Sequence, residues 1–397
     1  MPKLSLSDTE YFNRRRTIFE RTAEKHVDAL VLFGPNNVSY YSRFGCVATE
    51  RPIGYILTPD KSILFLPCLE MQHGEQVGLT DEVCGYPEYP GDRPPLEFLK
   101  DKLVDLGLQS ATIGVDADGY GRLYGYRGPR LSELLPDATV TDILDEIEYM
   151  QMVNSKEELD LLREACKWGD VAHRYLQDFC AVGISEIEIS QRAGQAASND
   201  MLRALGPDFR PRSIFGSVAH AGFRGQIGVA SANPHALANN AQLQAGDCLV
   251  TGASASVFGY SGELERSMVM GEPGKDQERY FNHMLAAQTL ACDTIKAGVP
   301  CSAVDKAVNR YFAENDLEST WRHHSGHAKS TLIHEAPFLD KGDDRIMEVG
   351  MVFTVEPGIY VEGLGGFRHS DTVAVTETGI DWLTDYPRDL KDLIFHV

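Results

Sequence analysis

The chain changes its pattern once, near residue 150, and that change constrains its fold more than any other feature. Before it, helical and strand-like stretches alternate. A charged, periodic run extends from about Tyr11 to Glu24, and the apolar run Val27 to Gly34 reads as a buried strand ending in glycine. RPIGYILTPDKSILFLP holds two strand-like runs joined by a Thr-Pro-Asp-Lys turn, and PPLEFLKDKLVDLG leads as a helix into the strand-like ATIGVD. Such alternation predicts an α/β N-terminal domain over 1–150. At Asn154 a polar capping signal opens NSKEELDLLREACKWGDVAHRYLQDF, whose apolar residues recur at helical spacing, so a long helix begins a second domain there. ISEIEISQRAGQAAS and DQERYFNHMLAAQTLACDTIKAG predict further helices, the latter ending in glycine. After Leu243 the runs turn rich in Val, Phe and Tyr with glycines between them, which predicts an α+β domain with a curved sheet over 151–397. At 397 residues the chain exceeds what one hydrophobic core usually supports, in keeping with two domains.

Composition narrows the classes. Apolar residues at 43% and charged residues at 24% are those of an ordinary globular protein. A formal net charge of −21 repels phosphate backbones and anionic lipid, so nucleic acid and membrane surfaces are not expected partners. The first residues lack the apolar core of a signal peptide, and no run approaches the ~18 apolar residues of a membrane helix, so a cytoplasmic location is the expectation. Eight cysteines without a C-x-x-C pair read as free thiols, most of them buried.

Titratable residues gather in the last part of the chain, in NPHALANN, GYSGELERS, HHSGHAKSTLIHEAPF, and VEPGIY with its sequel GGFRHSDT. Histidines and carboxylates beside glycine and proline turns, close to strands, are the raw material of a metal or acid/base site. Spacing alone leaves its type open.

In order and spacing these segments resemble the pita-bread family of methionine and Xaa-Pro aminopeptidases, prolidases and creatinase, and the likeness covers nearly the whole chain. The fuller stretches GHAKSTLIHEAPF and GMVFTVEPGIYVEGLGGFRHSDTVAVTETG carry most of it. The resemblance implies a pita-bread catalytic domain. It also implies two metal ions, held in the metal-dependent members by an Asp, a second Asp eleven residues on, a His and two Glu, which together activate one water. Here the first Asp position is Gly252 and the final Glu position is Ser370, while Glu263, His327 and Glu356 stand at the other three. A full dinuclear site is therefore not expected. A single divalent ion on Glu263, His327 and Glu356 remains chemically reasonable.

Creatinase, a metal-free member, resembles the chain further. ELERS matches its ALERT segment and places Glu265, together with Glu356, at the glutamates that hold a guanidinium-like group. His235 falls at its catalytic histidine, and Arg51 at an arginine that reaches from a neighbouring subunit to the substrate carboxylate. His334 falls at a histidine that contacts the substrate amide in the peptidases, Arg368 is a further substrate-binding candidate, and Lys329 replaces an apolar residue of the usual G-H-G-I-G. Ser261, Thr49 and Phe338 stand where creatinase carries a tyrosine, a phenylalanine and a second arginine, so creatine itself is not the expected substrate.

The leading expectation is thus a homodimeric hydrolase that cleaves a C–N bond of a small carboxylate-bearing amidine, guanidine or amide. It would work without a cofactor, with His235 as acid/base, Glu265, Glu356, His327 and His334 as catalytic groups, and Arg51, Glu263 and Arg368 binding substrate. The alternatives are an Xaa-Pro type metallopeptidase with a reduced metal site and an inactive pita-bread binding module.

Overall fold

The computed structural model describes residues 4–212 and 216–396. It divides into two compact units, one over Leu6–Gln151 and one from Met152 onward.

The first unit is built on a six-stranded sheet in the order Glu82–Tyr86, Ser62–Pro67, Gly54–Leu57, Ala29–Leu32, Thr112–Val115, Thr139–Asp142. Ala29–Leu32, Gly54–Leu57 and Ser62–Pro67 pair antiparallel, and the remaining pairings are parallel. Every residue of the three antiparallel strands is buried, which explains why their sequences are continuous apolar runs rather than alternating ones. The run predicted from Tyr11 to Glu24 is the helix Asp8–Arg21, started by the Ser7 hydroxyl, which accepts from the Glu10 amide at 3.2 Å.

The second unit opens with the helix Lys156–Phe179. Its N-cap is Ser155, one residue after the predicted signal. The Ser155 hydroxyl accepts from the Glu158 amide at 3.3 Å, and Glu158 Oε2 accepts from the Ser155 amide at 2.7 Å. Such a reciprocal cap stabilises a helix start by about 1 kcal/mol. Leu161, Leu162, Ala165, Trp168, Ala172 and Leu176 form its buried stripe. The helix Glu186–Leu205 follows, while Lys275–Thr294 stops short of the glycine expected to end it, Gly298.

Two sheets carry the rest. One has the order Ile394–Phe395, Leu264–Met270, Cys248–Val257, Ala219–Gly222, and the other Glu335–Phe338, Gly326–Ala328, Val352–Val355, Asp371–Val375, Ile380–Trp382. They are joined where Glu265 and Ser370 exchange backbone hydrogen bonds at 2.9 and 3.0 Å. Arg266 locks that junction. Its guanidinium is fully buried and donates to the carbonyls of Glu265, Ser370, Tyr386 and Pro387 at 2.7 to 3.1 Å and to Asp371 Oδ1 at 2.8 Å. Of these acceptors, Glu265 is itself a candidate site residue and Ser370 and Asp371 follow Arg368 closely in the chain. Among the described residues no helix is long and apolar enough to cross a membrane.

Candidate active site

The strands fix three side chains first. Glu263 precedes the strand Leu264–Met270, His327 sits mid-strand in Gly326–Ala328, and Glu356 directly follows Val352–Val355. One ligand atom from each lies within 4.8 Å of the others. The ring orientation of His327 is set by its own backbone neighbour. Nδ1 lies 2.9 Å from the Ala328 carbonyl, which can only accept, so Nδ1 carries a proton and in the neutral ring Nε2 keeps its lone pair. That Nε2 is buried, has no hydrogen-bond partner among the described residues, and lies 3.5 Å from Glu356 Oε1. A buried acceptor between two carboxylates, with nothing donating to it, is suited to a cation. Burial and then the charges of Glu263 and Glu265 hold the Glu356 carboxyl well above the usual carboxylate range, so it too gains from a neighbouring positive charge.

The donor set therefore fits one divalent ion, and the expectation that no metal is needed loses its support. A second ion has less to hold it. Gly252 has no side chain and faces Glu265 across the pairing of Cys248–Val257 with Leu264–Met270, and Ser370 Oγ donates to Glu263 Oε1 at 3.0 Å instead of supplying a carboxylate.

Glu265 is placed differently from its expected role. Arg368 Nε pairs with Oε2, Arg368 Nη2 donates to Oε1 at 2.8 Å, and Arg224 Nη2 donates to Oε1 at 2.9 Å. Burial alone would raise this carboxyl, but the two guanidiniums outweigh it and hold it below the usual range. A carboxylate already shared by two arginines is not free to receive the cationic group of a substrate, which removes the physical basis for the amidine-holding pair Glu265 and Glu356. Arg368, expected to bind substrate, spends its donors inside the protein: besides Glu265 it donates through Nη1 to the Tyr360 hydroxyl at 2.8 Å, and it lies 3.7 Å from Glu356 Oε2.

The Tyr360 hydroxyl in turn lies 2.8 Å from His323 Nε2, while His323 Nδ1 lies 2.8 Å from the His324 carbonyl. Nδ1 therefore donates and Nε2 accepts. Burial, followed by the Arg368 charge, pulls the His323 pKa down to about 4, so the ring is neutral near pH 7. Sequence reading did not single out Tyr360, His323 or Arg224. Tyr360 and His323 lie in the segments VEPGIY and HHSGHAKS, whereas nothing in AGFRGQ distinguishes Arg224.

His334 stacks on His327 with centroids 3.8 Å apart and planes 17° from parallel. Desolvation, then the charges of His327, His324 and Lys329, pull its pKa down to about 4. His235 is exposed in the turn after Asn233, close enough to His334 for its charge to be felt there. Its amide donates to Asn233 Oδ1 at 3.3 Å. Arg51 belongs to the first unit, where Glu88 and Glu50 each approach its guanidinium to 2.6 Å.

Comparison with known proteins bears on this arrangement. Residues 160–377 match metallopeptidase family M24, and residues 14–153 match the creatinase/prolidase N-terminal domain. An Xaa-Pro dipeptidase of Pyrococcus furiosus is 27% identical over 372 residues, which is 92% of this chain and 96% of that protein. An uncharacterised peptidase of Bacillus subtilis is 26% identical over 367 residues, or 92% of this chain and 95% of the relative. The crystal structure of an X-Pro aminopeptidase from Thermotoga maritima superposes with a TM-score of 0.79 at 24% identity, covering 97% of this chain and 99% of its own. The peptidase alternative is thus better supported than the amidine hydrolysis that led the sequence reading. The chain belongs to the M24 metallopeptidase family, a two-domain hydrolase with a creatinase/prolidase N-terminal domain and a pita-bread C-terminal domain.

Proposed function

We propose that the second unit hydrolyses the amide C–N bond of a small dipeptide of the Xaa-Pro type, with one divalent ion held by Glu263, His327 and Glu356. The observation that carries this reading is the buried, unshared Nε2 of His327 facing two carboxylates within 4.8 Å. A bound ion would polarise a carbonyl and acidify a water. The chain's own groups supply the rest. The Ala328 carbonyl fixes the His327 tautomer. Arg368, braced by Glu265 and Tyr360, holds positive charge beside Glu356. Neutral His334, stacked over His327, offers a ring nitrogen to orient a substrate carbonyl.

A second reading, hydrolysis without a metal in the manner of creatinase, draws on one observation: neither Gly252 nor Ser370 offers a carboxylate. Elemental analysis of protein purified without added metal separates the two, paired with glycyl-L-proline hydrolysis before and after chelation. The expected result is about one ion per chain and loss of turnover on chelation. Metal-free protein with chelator-resistant hydrolysis of an amide or amidine would overturn the proposal.

A further inference from the structure

Lys329 is a buried cation that the ion cluster leaves unused. The pairing of Gly326–Ala328 with Val352–Val355 runs without a break from Gly326 opposite Val355 to Ala328 opposite Phe353, and the Lys329 amide extends it with a bond to the Val352 carbonyl at 3.1 Å. Side chains two apart on a strand share a face, so Lys329 lies on the same face as His327. Only 4% of it is exposed, although lysines are rarely buried without a partner.

Its ammonium has three donors, yet the protein acceptor it meets among the described residues is the Leu332 carbonyl at 3.3 Å, and no carboxylate there comes within ion-pair distance. The other cations near the cluster differ in this respect, since Arg368 and Arg224 are both taken up by Glu265. The turn above Lys329 is fixed independently. Glu335 accepts from the Ser330 hydroxyl at 2.7 Å and from the Thr331 amide at 2.9 Å, and the turn delivers His334 onto His327. The Lys329 charge is felt at His334, at His220 on the strand Ala219–Gly222 and at Cys166 on the helix Lys156–Phe179.

We infer that Lys329 anchors the carboxylate of the substrate, fixing that end of the molecule on the strand face where His327 faces the ion. A compact ammonium recognises an oxyanion as a point charge. A singly charged carboxylate suits this place better than a phosphate, whose second charge would be repelled by Glu263 and Glu356. Arg51, the arginine expected to hold a carboxylate, lies in the first unit with two glutamates already on its guanidinium.

The inference rests on the small-substrate reading of the cluster, and its test separates the two. Calorimetric binding of L-proline and of L-prolinamide is measured with the wild type, Lys329→Met and Arg51→Met, alongside turnover of glycyl-L-proline and glycyl-L-prolinamide. Wild type is expected to favour the free acid by about tenfold or more. Lys329→Met should lose that preference through KM for the acid, with turnover of the amide retained. A preference kept in Lys329→Met, or lost in Arg51→Met alone, overturns the assignment. So does equal affinity for acid and amide in the wild type. No turnover of glycyl-L-proline, with a Lys329-dependent preference for L-proline, overturns the dipeptidase reading and keeps the anchor.

Discussion

Glu265 shows how much a side chain's reading depends on its partners. By sequence it is a carboxylate beside an arginine in ELERS, equally able to hold a substrate cation or an internal one. In the fold it lies opposite Gly252, and a Cβ on that glycine would approach Glu265 Oε1 to 3.6 Å, so the carboxylate lies against the space that a longer side chain there would fill. Arg368 and Arg224 neutralise it. Replacing Glu265 with Gln is therefore expected to leave Arg368, only 3% exposed, with the more distant Glu356 as its remaining counter-charge and to destabilise the protein by about 3 kcal/mol in urea unfolding. A change below about 0.5 kcal/mol, the range of ordinary surface substitutions, would show that the carboxylate is not committed to the arginines. His327 and Glu356 were legible as candidate ligands because the motifs around them carry the family resemblance. The arginine network was not, since Arg224 reaches Glu265 from 41 positions away and such separation leaves no local pattern.

Among the elements, the junction between the two sheets of the second unit positions the ion cluster. Glu263 and Glu265 come from one sheet and His327 and Glu356 from the other, and Arg266 ties the Glu265–Ser370 crossing to the segment around Pro387. Arg266→Met would remove five donated hydrogen bonds and leave buried Asp371 with Arg388, 3.9 Å away, as its remaining ion partner. The expected cost is about 3 to 5 kcal/mol. Metal affinity should also fall in folded variant protein, as read by competition with a chelator, because the Glu265–Ser370 crossing next to Glu263 loses its brace. Retained stability would mean that the donors already on Asp371, Gln288 Nε2 at 2.9 Å and the Thr384 hydroxyl at 2.8 Å, suffice without Arg266. Several of the elements were predictable from periodicity and capping, and the misplaced end of Lys275–Thr294 marks the limit of that method. Gly298 has φ of 84° and suits a helix stop, but the helix breaks earlier, where Ile295 turns to extended backbone and is buried.

For the whole molecule, stability against acid turns on histidines buried in neutral form. His173 is fully buried, with Nε2 at 2.6 Å from the Thr251 hydroxyl, and burial followed by the charges of Arg266 and Arg174 pulls its pKa down to about 3. His369 is held well below the usual histidine value by burial and by Arg266, with Nδ1 accepting from the Ser267 amide at 3.2 Å. Because the folded pKa of each lies below the unfolded one, their contribution is fully present above about pH 6.5 and is lost as pH falls toward the folded pKa, by up to ~1.4 kcal/mol per unit for each group. Thermal unfolding followed from pH 7 to pH 4 should show this acid limb, and His173→Gln should flatten it; an unchanged slope would place the loss elsewhere. By itself the sequence determined two domains, several of their strands and helices, and the three residues Glu263, His327 and Glu356 that the fold gathers, because periodicity, caps and short motifs are local properties of a chain. Tertiary structure alone decided that Glu265 belongs to two arginines and that, among the described residues, His327 presents a bare Nε2 and buried Lys329 has no carboxylate within ion-pair distance. Each of these depends on which distant groups the fold brings within a few ångströms, and at that range an opposite charge decides whether a side chain is free to meet a substrate.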